Sequence, residues 1–196
     1  MSEFSKEEIL KHKADSRTPE QLKEELKRAI EEEKKIISEF ELILKMGGLK
    51  SYSFVPTGSD GVELDENNQV ADIDLFPDYL IKYKTEDNKM HFSFIEIKIS
   101  RPKSKEAYFK VKALMQYREL GNVIILFVMG FQEKNPEFIL IRPEQIFNLK
   151  LKPELVYGKE TFKVPYSYFE WHPFKFDFKN KLDLLSYNFI LPQYRK

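Results

Sequence analysis

Pro77-Asp78 and, eighteen positions on, Glu96-Ile97-Lys98 supply two carboxylates and an ammonium to what read as two neighbouring β-strands. Side chains alternate along a strand, so Glu96 and Lys98 project to one face while Ile95, Ile97 and Ile99 project to the other. A hairpin turn over Glu86-Asp87-Asn88 brings the strand that opens at Asp78 alongside, and Asp78 then shares a cation with Glu96 if the register allows. Phosphodiester hydrolysis needs an activated water, a cation against the charge growing on the phosphate, and help for the leaving oxygen. Hard cations such as Mg²⁺ take oxygen ligands, commonly one or two carboxylates completed by water and substrate phosphate. Asp78, Glu96 and the main-chain carbonyl of Ile97 suit that coordination, with Mn²⁺ an expected substitute. Lys98 would orient or deprotonate the attacking water, or stabilise the phosphate charge. The competing reading of Glu96 and Lys98 is an exposed ion pair with no chemistry.

Composition narrows the alternatives. The 196 residues include no Cys, which removes thiolate nucleophiles and Cys-ligated zinc, and three scattered His (His12, His91, His172) do not form a His-rich metal site. Any metal must therefore be held by oxygen. Acidic and basic residues balance at 32 each, so a global basic excess does not announce nucleic-acid binding. The local distribution does: from Lys98 to Arg118 seven basic residues, among them Arg101, Lys103, Lys105, Lys110 and Lys112, stand against the single acid Glu106. No apolar stretch approaches the roughly 18 residues of a membrane span and the N-terminus lacks a signal-like apolar region, so no membrane partner and a cytoplasmic location are expected.

The elements that must position these residues follow from periodicity. Thr18-Pro19-Glu20-Gln21 reads as a helix start with a capping box, and Leu22, Leu26, Ala29, Ile30, Ile36, Ile37, Phe40, Ile43 and Leu44 recur at helical spacing up to Gly47-Gly48. Strands are expected over Lys50 to Pro56, from Asp78 to Tyr83 and over Met90 to Ser100, with a polar-apolar alternation at Ala71 to Leu75. A helix from about Ser104 to Leu120 follows, then the unbroken apolar run Val123 to Met129, which fits a strand buried on both faces. Phe138 to Ile141 is a further strand and Pro143 to Leu149 a short helix. The order predicts an α/β fold with a mixed central sheet flanked by helices. Residues 150–196 form an aromatic-rich C-terminal extension to a domain of residues 1–149. Its twelve aromatics are expected to pack on that same domain, a base-stacking surface and a dimer interface being the alternatives.

With Pro77-Asp78 and Glu96-Ile97-Lys98 in this order between a long helix and a basic helix, the chain resembles the PD-(D/E)xK nuclease superfamily over roughly Lys34 to Ile141. In layout it is most similar to archaeal-type Holliday-junction resolvases and related viral nucleases. The resemblance implies a restriction-endonuclease-like core in the order α-β-β-β-α-β and a Mg²⁺-dependent endonuclease acting on DNA. It implies catalytic roles for Asp78, Glu96 and Lys98, and a further Glu from the first helix. Glu39, at the edge of the apolar stripe and nearest the Gly-Gly turn, is the expected one. Glu33, which falls in the middle of the stripe where an unpaired carboxylate is costly, and Glu41 are its rivals. Lys112 and Gln116 are expected at the scissile phosphate with Tyr108 on their face, and Lys105, Arg101 and Ser59 elsewhere along the nucleic acid. Asp72 and Asp74 are read as solvated positions or a second ligand pair. Two cuts would need a homodimer. A catalytically inactive nucleic-acid-binding fold is the alternative, and an assembly protein driven by the long helix is disfavoured because its stripe drifts instead of holding heptads.

Overall fold

The computed structural model describes residues 18–46, 52–57, 76–84, 88–100, 105–174 and 193. The expectations placed on Ser59, Asp72, Asp74 and Arg101, the alternation at 71–75 and the tail aromatics Phe176 and Phe178 lie outside these residues.

Helix α1 spans Pro19–Met46. Its start is the expected capping box: the Gln21 N–H donates to Thr18 Oγ1 (3.3 Å) while Gln21 Oε1 accepts from the Thr18 N–H (2.9 Å). Ile36, Ile37 and Phe40 form its buried stripe. The strands β1 (Tyr52–Pro56), β2 (Tyr79–Lys84) and β3 (Met90–Ser100) run as an antiparallel meander, and β3 then pairs in parallel with β5 (Val123–Met129). Antiparallel β6 (Glu137–Ile141) and β9 (His172–Pro173) complete a mixed six-stranded sheet, β1-β2-β3-β5-β6-β9. As its apolar run predicts, β5 is buried on both faces. Among the described residues no helix is long and apolar enough to cross a membrane.

One expected helix is corrected. The segment after Ser104 opens as strand β4 (Glu106–Lys110), and helix α2 is confined to Val111–Leu120, where Gly121 at φ 67° ends it. Ala107 and Phe109 are buried while Tyr108 and Lys110 are exposed, the period-2 pattern of a half-buried strand. What holds it extended is β8 (Lys159–Pro165), more than fifty residues away, which pairs with β4 antiparallel and with β7 (Glu154–Val156) to make a second, three-stranded sheet, β4-β8-β7. A ladder to a distant segment leaves no mark in the local pattern. Tyr108 is consequently off the face of Lys112 and Gln116.

The core lies on both faces of β5. On the face of Ile97 and Ile99, Phe138 is fully buried and meets the rings of Phe40 (6.4 Å) and Phe174 (5.6 Å), so α1 covers this side. On the face of Glu96 and Lys98, Phe127 meets Phe109 from β4 (5.8 Å), Tyr166 (6.1 Å) and Trp171 (6.0 Å). The Trp171 indole N–H donates to the Tyr166 carbonyl at 2.9 Å. From Phe162 to Phe174 the tail aromatics thus pack against the same core as the strands before them, while Tyr157 is exposed. Helix α3 (Pro143–Asn148) closes the end of β6 with the Arg142 N–H donating to Gln145 Oε1. Phe138 is the ring that joins α1, β6 and the segment at Phe174; Phe138→Ala should cost about 3–5 kcal/mol of unfolding free energy in urea titrations. A loss below 1 kcal/mol, on that same scale, would mean that α1 is not seated as described.

Candidate active site

Asp78 and Glu96 meet because the β2–β3 register is unbroken. Tyr79 faces Ile95 at the end of the antiparallel ladder, and Asp78, the next residue, lies just beyond it beside the segment of Glu96 and Ile97. The turn carrying Asp78 is clamped from β1's end. The Thr57 hydroxyl donates to the Pro77 carbonyl, and the Thr57 N–H donates to the Asp78 carbonyl at 3.1 Å. The Asp78 carboxylate in turn reaches across the ladder, where Oδ2 accepts the Ile97 N–H at 2.6 Å. Its side chain is thereby fixed from both ends.

On β3 the Lys98 ammonium donates to Glu96 Oε1 at 2.7 Å. The exposed-pair reading fails on burial: Glu96's side chain is 9% and Lys98's 27% accessible. Tyr117, on the buried face of α2 with Ala113 and Leu114, donates its phenol to Glu96 as well. Sequence reasoning missed it, although an aromatic hydroxyl on a helix's buried face needs a partner.

Glu33, not Glu39, is the α1 carboxylate whose charge acts on both Asp78 and Lys98. It lies three, four and seven positions before Ile36, Ile37 and Phe40, so it continues the buried stripe by one turn. Glu33 is half-buried there, and its charge helps to hold the Lys98 ammonium above its ordinary value. Glu39 is not among the charges that shift Asp78 or Lys98.

Electrostatics record the crowding. Burial, then the Glu96 carboxylate and more weakly Glu33, push Asp78 up to about 8, against the opposing pull of the Ile97 N–H and Lys98. Burial alone would lower Lys98, yet the charge and hydrogen bond of Glu96, with Asp78 and Glu33, outweigh it and hold the ammonium above its ordinary value. The Tyr117 phenol is pushed up by burial and by Glu96 and Asp78, so it stays a donor.

The expected nucleic-acid residues spread over several elements. Lys105 is exposed just before β4 and Lys112 is exposed in the first turn of α2. Gln116 is half-buried, and its Oε1 is buried without a hydrogen-bond partner. Arg118 lies over the Phe147 ring at 4.8 Å, which engages it away from Lys112.

Whether the donors fit a metal turns on their charge. Among the described residues the charges that act on Asp78 are the carboxylates of Glu96 and Glu33 and the ammonium of Lys98, and burial with the Glu96 charge drives Asp78 to keep a proton. A divalent cation between Asp78 and Glu96 would supply positive charge in its place. Among the described residues no group of three or more Asp, Glu or His is arranged to hold a metal unaided. Two carboxylates completed by the Ile97 carbonyl, water or a phosphate is the customary set for Mg²⁺.

The Asp78 shift predicts a pH dependence. Its carboxyl titrates at about 8 in the folded chain against an ordinary 3.8, so between these values the folded state holds a proton that the unfolded state has released. Stability must fall as pH rises through that window. Asp78→Asn keeps an acceptor for the Ile97 N–H and removes the titration. In cation-free buffer its melting temperature should gain on wild type by several degrees across that window and no further above it. Thermal circular dichroism checks this, and a difference that does not vary with pH would contradict the burial of Asp78.

A scan against protein-family models matches no family, and searches of curated proteins and of solved structures find no match.

Proposed function

We propose that this chain is a metal-dependent nuclease of the PD-(D/E)xK kind, with a restriction-endonuclease-like core and DNA as its substrate. The observation that carries the reading is the convergence of Asp78 and Glu96 at the end of the β2–β3 ladder, with Asp78 accepting the Ile97 N–H and Lys98 bonded to Glu96. A resident Mg²⁺ or Mn²⁺ would neutralise charge growing on the phosphate and favour ionisation of the attacking water. The chain's own residues do the rest. Asp78 and Glu96 would hold the cation, and the Ile97 carbonyl could complete the set of oxygen donors. Lys98, bonded to Glu96, is placed to orient the attacking water and to bind a phosphate oxygen. Tyr117 holds Glu96 in place, and Glu33 adds negative charge that favours a cation over a neutral site. Lys112 and Lys105 meet phosphates at the rim, and the unsatisfied Gln116 carbonyl has capacity for a donor. One such site makes one cut, so paired cuts would require a homodimer.

Single-turnover cleavage of junction, flap, duplex and single-stranded DNA, with Mg²⁺ and Mn²⁺, tests the proposal. Asp78→Ala and Glu96→Ala should each abolish cleavage while leaving affinity for DNA in place, because the basic residues remain. Lys98→Ala should slow cleavage about 10²–10³-fold, the usual loss for one transition-state contact. Lys98→Arg should rescue poorly, since the guanidinium is larger and planar. Rates within threefold of wild type in Lys98→Ala, set against that expected loss, would remove Lys98 from the chemistry. DNA binding without cation-dependent cleavage of any substrate would leave a nucleic-acid-binding fold without turnover.

Binding has its own check. Affinity should fall with salt by close to one log–log unit per duplex phosphate contact, and the double substitution of Lys105 and Lys112 by Ala should flatten that slope by about two units. An unchanged slope would make both residues a solvated rim.

A further inference from the structure

The β1–β2–β3 part of the sheet carries a second feature on the face of Glu96 and Lys98. The registers of β1 with β2 and of β2 with β3 run without a bulge. Side chains two apart along β3 therefore share a face, and Phe94 and Phe92 follow Glu96 in one line. Phe94 faces Leu80, which faces Val55; Phe92 faces Lys82 in the next row, and Lys84 lies one row further. These rows are open. Phe92 is 51% and Val55 50% exposed, and Phe76, directly before Pro77-Asp78, is 37% exposed with its ring edge-on to Phe94 at 5.2 Å. Lys82 holds its ammonium 5.7 Å from the centre of the Phe92 ring.

Exposed aromatic rings in a contiguous patch call for an occupant. Away from Glu96 and Lys98, the charged ones among the described residues on this face of β1, β2 and β3 are Lys82 and Lys84, so an anionic occupant is complementary to that part of it. Rings need a flat partner with an open face, and a duplex offers none along its length because its bases already stack on one another. Unpaired nucleotides offer both the phosphate for the lysines and the base for the rings. The patch starts two residues from Glu96 and reaches Phe92 within about 13 Å, at 3.3 Å per strand residue, so a short strand lying on it would end at the carboxylates.

We propose that this open face is a stacking platform for single-stranded nucleic acid, with bases on Phe92 and Phe94 and phosphates on Lys82 and Lys84. The chain would thereby act on unpaired segments led into the site at Asp78, Glu96 and Lys98. The inference rests on the nuclease reading above for what happens to the strand, but its binding test does not.

That test uses the full chain in EDTA, where cation-dependent cleavage is absent, and measures anisotropy of labelled oligo-dT and of a blunt duplex of equal length. Wild type should prefer oligo-dT. Phe92→Ala should weaken oligo-dT binding by about 5- to 100-fold, the usual worth of one stacked base, and duplex binding by less than about twofold. Phe92→Trp should restore the affinity, and Phe92→Leu, apolar but without a ring face, should not. Unchanged oligo-dT affinity in Phe92→Ala, or full rescue by Leu, overturns the platform, as does a concentration-dependent dimer in sedimentation that Phe92→Ala dissolves. Cleavage is scored separately in Mg²⁺. A chain that cuts DNA while its strand preference ignores Phe92→Ala loses the platform alone, and one that binds as expected but cuts nothing loses the nuclease reading alone.

Discussion

Two carboxylates facing each other inside a protein repel, and most of this structure is arranged around that repulsion. Asp78 and Glu96 are held close by a ladder that also carries the buried side chains of Tyr79, Ile81 and Ile95, so the strands cannot slip to relieve the pair without turning an apolar set to solvent. Nor can Asp78 swing away, because Thr57 fixes its main chain and the Ile97 N–H fixes its carboxylate. The remaining outlets are protonation or a cation. Burial raises the worth of either, since desolvated charge is costly unless compensated.

Each neighbour of the pair answers part of that deficit. Among the described residues Lys98 is the ammonium of the group, and the carboxylates hold it above its ordinary value against a burial that would lower it. Tyr117 gives Glu96 a neutral donor, which stabilises the carboxylate without consuming the charge a cation would meet. Glu33 works the other way, adding negative charge where there is already too much. A fold selected for stability alone gains nothing from that third carboxylate. On the proposed function it favours a divalent cation, because the excess negative charge raises the cation's affinity over the proton's as pH rises.

How much of this is legible in the sequence depends on the range of the interaction that decides it. Asp78, Glu96 and Lys98 are readable because strand alternation and a hairpin relate them locally, and β3 and β5 are found within a residue or so of their bounds. Glu33 is present in the helical stripe, but its partner is not, and whether a carboxylate in a stripe is an error or a delivery depends on what the stripe faces. Strand β4 is invisible for the same reason, being held extended by β8 from beyond the second helix. Tyr117 lies between these: its burial follows from Ala113, Leu114 and Tyr117 at helical spacing, while Glu96 as its acceptor follows only from how α2 lies on the sheet. Local periodicity yields faces, and tertiary contact decides what each face meets.

Along one face of β3 the cover thins in a single direction. Ser100 shares a hydrogen bond with Tyr166, and the Phe127 ring beside Lys98 lies under Phe109, Tyr166 and Trp171. Glu96 is reached by Tyr117 from α2, Phe94 is half-covered by Phe76, and Phe92 is open. The carboxylates stand where the covered part ends. Further under the second sheet they would be as desolvated but beyond the reach of a polymer. Further toward Phe92, water would screen the repulsion that makes the pair receptive to a cation. On the proposed function, placement at that boundary would reconcile a low-dielectric site with access for a long anionic chain, and it follows from the second sheet and α2 covering only one end of the strand.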